Sequence, residues 1–465
     1  MPVIPEGIAY AYTHETTQAT TGYFSCQPPA SLTLPQALAR LEATPFDDFL
    51  RQHCLRQLSR RSPEEIKNLA DELYDRETDS FRRMGLAGLL LECSLLVPEL
   101  AHCCDGFPED ALQRLTLSSS LIYLRAASRK DFGLMQAWSA HFADNIARHH
   151  MLPHWEELEL ELPYSEEELE VCREGLRARA GMLEREHARM QAEDLPRLER
   201  RPAQETYEQA VNALLENDVL AGQEMRHQAS LSPIALLRSW KVDLAVDCGR
   251  MRHGLRGEAT AYGRGLSLAA ARASYAMEIV ERASSYVSVA RTGEHTFEVT
   301  NRRRPMPLVH ASCAKLRSQG KGFLPLSSLP LETPFEDYVP LYWLEARNPE
   351  GKTVLVPAQA VFLFCNLDEQ SLFLAGGSTG LASGNTEAEA RLAALTEIVE
   401  RDAEATTPFS REGCFVLKSR DERLQALLDD YAARGIQIQF QDITTELGVP
   451  VYRCFVMSRR GEVAQ

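Results

Sequence analysis

The pentapeptide Glu-Ile-Val-Glu-Arg occurs twice, at residues 278–282 and again at 397–401. Residues 267–284 lie over residues 386–403 without a gap, so that Ala269 meets Ala388, Ala271 meets Ala390 and Arg272 meets Arg391. The chain is therefore expected to contain an internal duplication. A glycine-bearing turn is expected before each copy, Gly263-Arg264-Gly265 before the first and the stretch from Gly380 to Thr386 before the second. Each copy then reads as a turn followed by an alanine-rich helix.

A helix advances about 100° per residue, so side chains three and four apart share a face. Ser274, Glu278 and Glu281 form one stripe in the first copy, and Glu389, Glu397 and Glu400 form one in the second. A single acidic string of this kind reads as a solvated surface with internal ion pairs. Two in register, each behind a glycine turn, favour a site. If the copies pack about a pseudo-twofold axis their carboxylates converge, repel, and call for cations. Arg282 and Arg401 balance part of that charge. The carboxylates of Glu278, Glu281, Glu389, Glu397 and Glu400 suit a hard ion such as Mg²⁺, which commonly carries nucleotide phosphates. The stretch Gly376-Gly377-Ser378-Thr379-Gly380, with Ser383-Gly384-Asn385 after it, offers open backbone N–H groups ahead of a helix N-terminus. It is not a P-loop, because the Gly-Lys-Ser/Thr ending is missing.

With 465 residues, two domains are the default expectation. A formal net charge of -16 argues against general nucleic-acid binding, which needs a basic surface to displace counterions. No apolar run reaches the length of a membrane span and the N-terminus lacks a signal-peptide pattern, so a cytoplasmic protein is expected. The 11 cysteines show no Cys-x-x-Cys pair and read as small core residues, the adjacent Cys103 and Cys104 included.

Residues 34 to about 240 read as all-helical. Ser62-Pro63-Glu64-Glu65 and Ser165-Glu166-Glu167-Glu168 carry capping-box signatures, residues 84–97 read as a buried helix, and a further helix is expected over 204–223. His141, Asp144, His149, His150 and His154 have metal-ligand chemistry, but their spacing favours exposed polar residues near a helix end. From residue 241 the texture alternates as strands do, at 241–247, 296–299, 353–357, 361–365, 437–440 and 449–456. Helices are expected between them at 267–287, 386–404 and 420–434. The basic run Arg302-Arg303-Arg304 reads as solvated loop. The expected fold class is α+β: a helical N-terminal domain over residues 1–240, for substrate or partner recognition, and a mixed α/β domain over 241–465.

Ser274-x-x-x-Glu278-x-x-Glu281-Arg282, and the stretch from Ser378 to Thr386 leading through Glu389 to Glu397-x-x-Glu400-Arg401, resemble the two signature blocks of the YcaO domain family. Residues 343–358 are similar to the strand that precedes the second block. The resemblance covers roughly 245–465. It implies a domain that binds ATP and Mg²⁺ through these helices and phosphorylates the oxygen of a peptide-backbone amide. A nucleophile then attacks the amide carbon: a neighbouring Cys, Ser or Thr gives an azoline, external sulfide a thioamide, and other members assist ribosomal-protein modification. Carried over by position, Ser274, Glu278, Glu281, Asn385, Glu389, Glu397 and Glu400 hold nucleotide and metal, with Arg282 and Arg401 near the phosphates or bracing the carboxylates.

Two departures accompany the resemblance. Arg264 stands where the family often has Lys, and the family's third, C-terminal block has no counterpart before Gln465, as expected of a fragment or of an incomplete site. The implied partners are a peptide or protein substrate and a sulfur-donor or TfuA-like protein, with a homodimer as a further expectation. The alternative is a nucleotide-binding scaffold or regulator without chemistry.

Overall fold

The computed structural model describes residues 7–15, 23–115, 120–128, 132–193, 199–228, 230–294, 296–300, 305–348, 350–373 and 377–458. The basic run at 302–304 and Gly376 lie outside them. The chain opens with strands β1 (Ile8–Glu15) and β2 (Tyr23–Gln27), then helices α1 (Leu34–Ala43), α2 (Asp48–Leu58) and α3 (Pro63–Leu73). A short hairpin of β3 (Tyr74–Asp75) and β4 (Ser80–Phe81) leads to α4 (Met84–Leu96), α5 (Glu109–Leu115), α6 (Ser120–Ser128), α7 (Phe132–Arg148), α8 (Glu166–Ala192) and α9 (Ala203–Glu216). Strands β5 (Leu220–Arg226), β6 (Ile234–Cys248) and β7 (Met251–Gly265) precede α10 (Leu268–Ser285). Next come β8 (Ser288–Arg291), β9 (Phe297–Thr300), β10 (Pro305–Ser312), α11 (Cys313–Ser318), β11 (Pro340–Arg347) and β12 (Thr353–Pro357). Helix α12 (Glu387–Thr406), β13 (Cys414–Phe415), α13 (Glu422–Ala433), β14 (Ile436–Asp442) and β15 (Tyr452–Ser458) complete the described chain.

Chain contacts gather into two compact units, one of residues 1–127 with 201–385, the other of 128–200 with 386–465. The break in texture near residue 240 falls inside β6, so neither unit begins or ends there. The α+β class holds, but the segment before 241 is not all-helical. Strands β1 and β2 enter the main sheet, and β5 occupies the end of the expected 204–223 helix, which stops at Glu216 where Asn217 and Asp218 turn the chain. Asp218 has φ +50°, a value that short polar side chains tolerate better than most.

The first unit is built on a 10-stranded sheet of order β12-β11-β10-β9-β8-β6-β7-β1-β2, with β5 also on β6. Its spine is the hairpin of β6 and β7, paired from Cys248↔Met251 out to Ile234↔Gly265. Along β6, Trp240, Val242, Leu244, Val246 and Cys248 are buried in strict alternation, which puts one face of the strand into the core. The N-terminal β1 pairs parallel to β7, Ile8 against His253 through Tyr12 against Gly257. No local pattern could announce a pairing between segments so far apart in sequence.

Helix α2 is fastened to this sheet by a buried polar chain. Asp47, the N-cap of α2, accepts from Leu50 N (3.1 Å), from the Tyr10 hydroxyl (2.7 Å) and from Asn366 Nδ2 (3.1 Å), and Asn366 Oδ1 accepts from Asp48 N (3.2 Å). The capping box predicted at Ser62 forms, Ser62 Oγ accepting from Glu65 N (3.2 Å) while the Glu65 carboxylate accepts from Ser62 N (3.0 Å). Helix α4 is buried through its middle, as its continuous apolar run predicts. Cys103 and Cys104 are buried free thiols in the same core. Residues 361–365, read as a strand, form a loop instead, with an isolated backbone bridge from Leu363 to Tyr286 and the Phe364 ring packed against Tyr12 of β1.

In the second unit β13, β14 and β15 form an antiparallel sheet. Asn145 of α7 is buried and grips the chain after α12, its Oδ1 accepting from Phe409 N (2.8 Å) and its Nδ2 donating to Phe409 O (3.1 Å). His149 packs edge-on against Phe409 and Phe455. His150 pairs with Asp144 at 2.8 Å and His154 with Glu156 at 3.6 Å, the polar-surface reading of that histidine cluster. No helix among the described residues is long and apolar enough to cross a membrane.

Candidate functional site

The duplication is visible in the way the two acidic helices begin. Ser267 caps α10 by accepting from Ala270 N, and Thr386 caps α12 by accepting from Glu389 N, both from extended backbone (φ -138°, ψ 157° and φ -133°, ψ 162°). These residues coincide when the two copies are laid in register. Each helix belongs to a different unit.

What precedes α10 is a strand rather than the expected turn. Gly263, Arg264 and Gly265 are the last residues of β7, paired with Leu236, Ala235 and Ile234 of β6. The glycines serve close approach. A Cβ on Gly263 would stand 2.0 Å from Ala271 O, and one on Gly265 would stand 2.8 Å from the Ala270 Cβ. Their absence lets α10 lie directly on the strand, with Ala271, Tyr275, Ala276 and Ile279 buried.

Glu278 lies at the border between that buried face and the acidic stripe. Its carboxylate accepts from Tyr262 N at 3.2 Å. Burial raises its pKa above the ordinary carboxylate value, opposed by the Tyr262 N–H and by the charges of Arg282 and Arg264. Glu281, one turn on, is half-buried and stands 3.4 Å from the Arg282 guanidinium. Ser274 is exposed on the same stripe. The loop that ends at the half-buried Asn385 lies against this helix: Ser383 Oγ donates to Met277 O at 2.8 Å. Within that loop Leu381 N donates to Ser378 O, and Gly380 at φ +83° takes a backbone conformation that a side chain would strain. The first unit thus brings Ser274, Glu278, Glu281, Arg282 and Asn385 onto one helix face and the loop beside it.

Glu389, Glu397, Glu400 and Arg401 belong to the second unit. Glu389 lies in the first turn of α12, and Glu397 and Glu400 follow on the same helix. Arg401 spans 4.0 Å to Glu397, 3.9 Å to Glu400 and 2.9 Å to Glu404, so its tightest partner is a residue outside the repeated pentapeptide. Among the described residues no group of three or more acidic, histidine or cysteine side chains is gathered as a ready-made metal cage.

Sequence reasoning missed the anchor of α10. Arg272 reaches Glu224 of β5 through Nε (2.9 Å) and Nη2 (2.9 Å), and the Tyr275 hydroxyl donates to the same carboxylate at 2.8 Å. The matching Arg391 of α12 instead pairs with Glu387 of its own helix. The one hint was that Arg272 and Arg391 coincide in the alignment, and that hint says nothing of partners.

Residues 262–464 match the family model described as YcaO cyclodehydratase, ATP- and Mg²⁺-binding. An uncharacterized protein in the tfuA 3′ region of Rhizobium leguminosarum bv. trifolii is 28% identical over 204 residues, 42% of this chain and 44% of that protein. An uncharacterized protein of Methanothermobacter thermautotrophicus is 30% identical over 197 residues, 40% of this chain and 45% of that protein. The chain therefore spans less than half the length of either relative. A solved heterocyclase in complex with substrate and cofactor is similar at a TM-score of 0.38 and 18% identity, over 57% of this chain and 37% of that one. The matched stretch from Tyr262 to Ala464 carries both copies of the acidic helix, and it is this stretch that is similar to the ATP- and Mg²⁺-binding YcaO domain.

Proposed function

We propose that this chain uses ATP and Mg²⁺ to activate a backbone amide of a peptide or protein substrate in the cytoplasm. Support comes first from the family match, and in the structure from a single observation. Glu278 is a half-buried carboxylate held at the strand edge by Tyr262 N, flanked by Arg282 and Arg264 and carried on the helix that two glycines draw onto the sheet. A desolvated acid that burial pushes toward protonation gains most from a cation that restores its charge.

Glu278 and Glu281, with Glu389, Glu397 and Glu400, are the groups we assign to Mg²⁺. Ser274 and Asn385 are assigned to the nucleotide, and Arg282 and Arg401 to the phosphates or to bracing the acids. Bound ATP supplies the phosphoryl group that converts the amide oxygen into a leaving group, ADP departing first and phosphate after attack on the amide carbon. The protein's own contribution is positioning and charge: fixed carboxylates and guanidiniums around phosphates need no reorganisation as charge moves. Arg264 adds a planar donor of fixed charge at the strand end. The product is read as a thioamide or an azoline, or the role as accessory to ribosomal-protein modification. A sulfur-donating or TfuA-like partner fits the genomic neighbourhood named for the rhizobial relative.

Isothermal titration with Mg·ATP tests the nucleotide site. Glu278→Gln keeps the hydrogen bond from Tyr262 N but not the charge, and is expected to weaken binding by ~10-fold or more. Unchanged affinity in both Glu278→Gln and Glu397→Gln would refute the assignment. Mass spectrometry of a candidate peptide tests the reaction: loss of water marks an azoline and replacement of oxygen by sulfur a thioamide. ATP binding with no peptide change under any sulfur source would leave a nucleotide-binding regulator.

A further inference from the structure

Away from the acidic helices, the first unit has a half-open chamber of about 210 Å³ between β2, α2 and the loop 359–373. Five of the residues around it are phenylalanines: Phe24, Phe49, Phe362, Phe364 and Phe373. Phe364 holds a backbone φ of +52°, unusual for a bulky residue, and its ring lies 4.7 Å from Tyr286, 5.3 Å from Tyr12 and 6.4 Å from Phe49. A strained aromatic of this kind persists only where the surroundings hold it, and such positions gather at ligand clamps.

Two carboxyl groups, Asp48 and Glu369, share the wall with these rings. Glu369 is only 4% exposed, and its Oε1 accepts from Gln359 Nε2 at 2.9 Å while its other oxygen accepts from Tyr342 N. Among the described residues lining the chamber there is no Lys, Arg or His. The charged groups acting on Asp48 from outside are Arg51, Asp47 and Glu92, and the one acting on Glu369 is Asp368. Arg51 is itself engaged with Glu92 at 2.6 Å. Burial raises both acids, Asp48 to about 6 and Glu369 to about 8, so each would regain charge if a cation entered.

We propose that the chamber is a binding site for an aliphatic ammonium group, seated on the phenylalanine faces and paired with Asp48 and Glu369. Ring faces attract a partly desolvated cation through their quadrupoles, and the buried Glu369 with the half-buried Asp48 adds the counter-charge. The size suits one side-chain-length amine, and a second cavity of about 690 Å³, which shares Asp48 and Ser371 with the chamber, leaves room for whatever carries it. The amine is either a free small molecule or a lysine side chain. This site does not depend on the assignment of the ATP site.

Titration of the full chain with n-butylammonium and with butan-1-ol, of nearly the same shape without charge, tests the proposal. The ammonium is expected to bind at least ~10-fold more tightly than the alcohol. Glu369→Gln together with Asp48→Asn replaces acids by neutral isosteres and should abolish that preference while retaining butanol binding and the circular dichroism of the parent. Equal affinity for both probes, or a preference that survives the double substitution, would overturn the proposal. Comparison with a short capped lysine peptide separates the sources: tighter binding of the peptide than of butylammonium assigns the site to a substrate or partner protein, and weaker binding assigns it to a free amine.

Discussion

Gly263 shows how much of this fold rests on a missing atom. With a Cβ only 2.0 Å from the Ala271 carbonyl oxygen, Gly263→Ala must push α10 off the strand or distort β7, and Glu278 moves with either. The expected cost is about 3 kcal/mol of stability, the upper part of the usual range for overpacking, read as a fall in the denaturant midpoint. Glu278 illustrates the same dependence from the other side. Its glutamate was conspicuous in the sequence because the pentapeptide repeats, and its stripe with Ser274 and Glu281 follows from helical periodicity. Its burial, and its bond to Tyr262 N, follow only from where the strand passes.

Helices α10 and α12 start alike and end in different surroundings. Ala276 and Ile279 of α10 are fully buried against the sheet, whereas their counterparts in α12, Leu395 and Ile398, are 61% and 46% exposed. The repeated sequence encodes a helix with the same cap and the same acidic stripe; what lies against its apolar face is supplied by the rest of the chain. The Glu224 anchor is one such supply. Arg272→Ala removes a two-pronged charged hydrogen bond between α10 and β5 that is partly shielded from water, and is expected to cost about 2 kcal/mol. Arg391→Ala, which removes only an exposed pair within α12, should cost less than about 0.5 kcal/mol. Chemical denaturation of the two variants side by side checks the contrast. Capping boxes at Ser62 and Ser165 were legible because a cap is a local bargain between residues three apart.

The stability of the whole molecule should respond to pH in two opposed ways. His253 of β7 is 2% exposed between the rings of Tyr10 and Phe49, and burial lowers its pKa to about 4. The unfolded chain takes up that proton near the ordinary 6.5, so the stability His253 contributes is present above that value and is lost as pH falls from 6.5 toward 4. Glu369, raised by burial to about 8 from 4.5, works in reverse: its contribution is present below 4.5 and is lost as pH rises toward 8. Thermal melts across pH should show His253→Phe flattening the acid side and Glu369→Gln flattening the rise toward 8. An unaltered profile in either variant would contradict the corresponding burial. The sequence by itself determined the two acidic helices, the capping boxes at Ser62 and Ser165, the repeat and the chemical class of its acidic stripe, because these depend on residues within a few turns of one another. Tertiary structure alone decided that β1 and β2 complete a sheet begun more than two hundred residues later, that Gly263-Arg264-Gly265 is a strand end rather than a turn, and that the chain divides into two discontinuous units. Those outcomes depend on which distant segments pair and how closely their backbones approach, and neither quantity has a local signature.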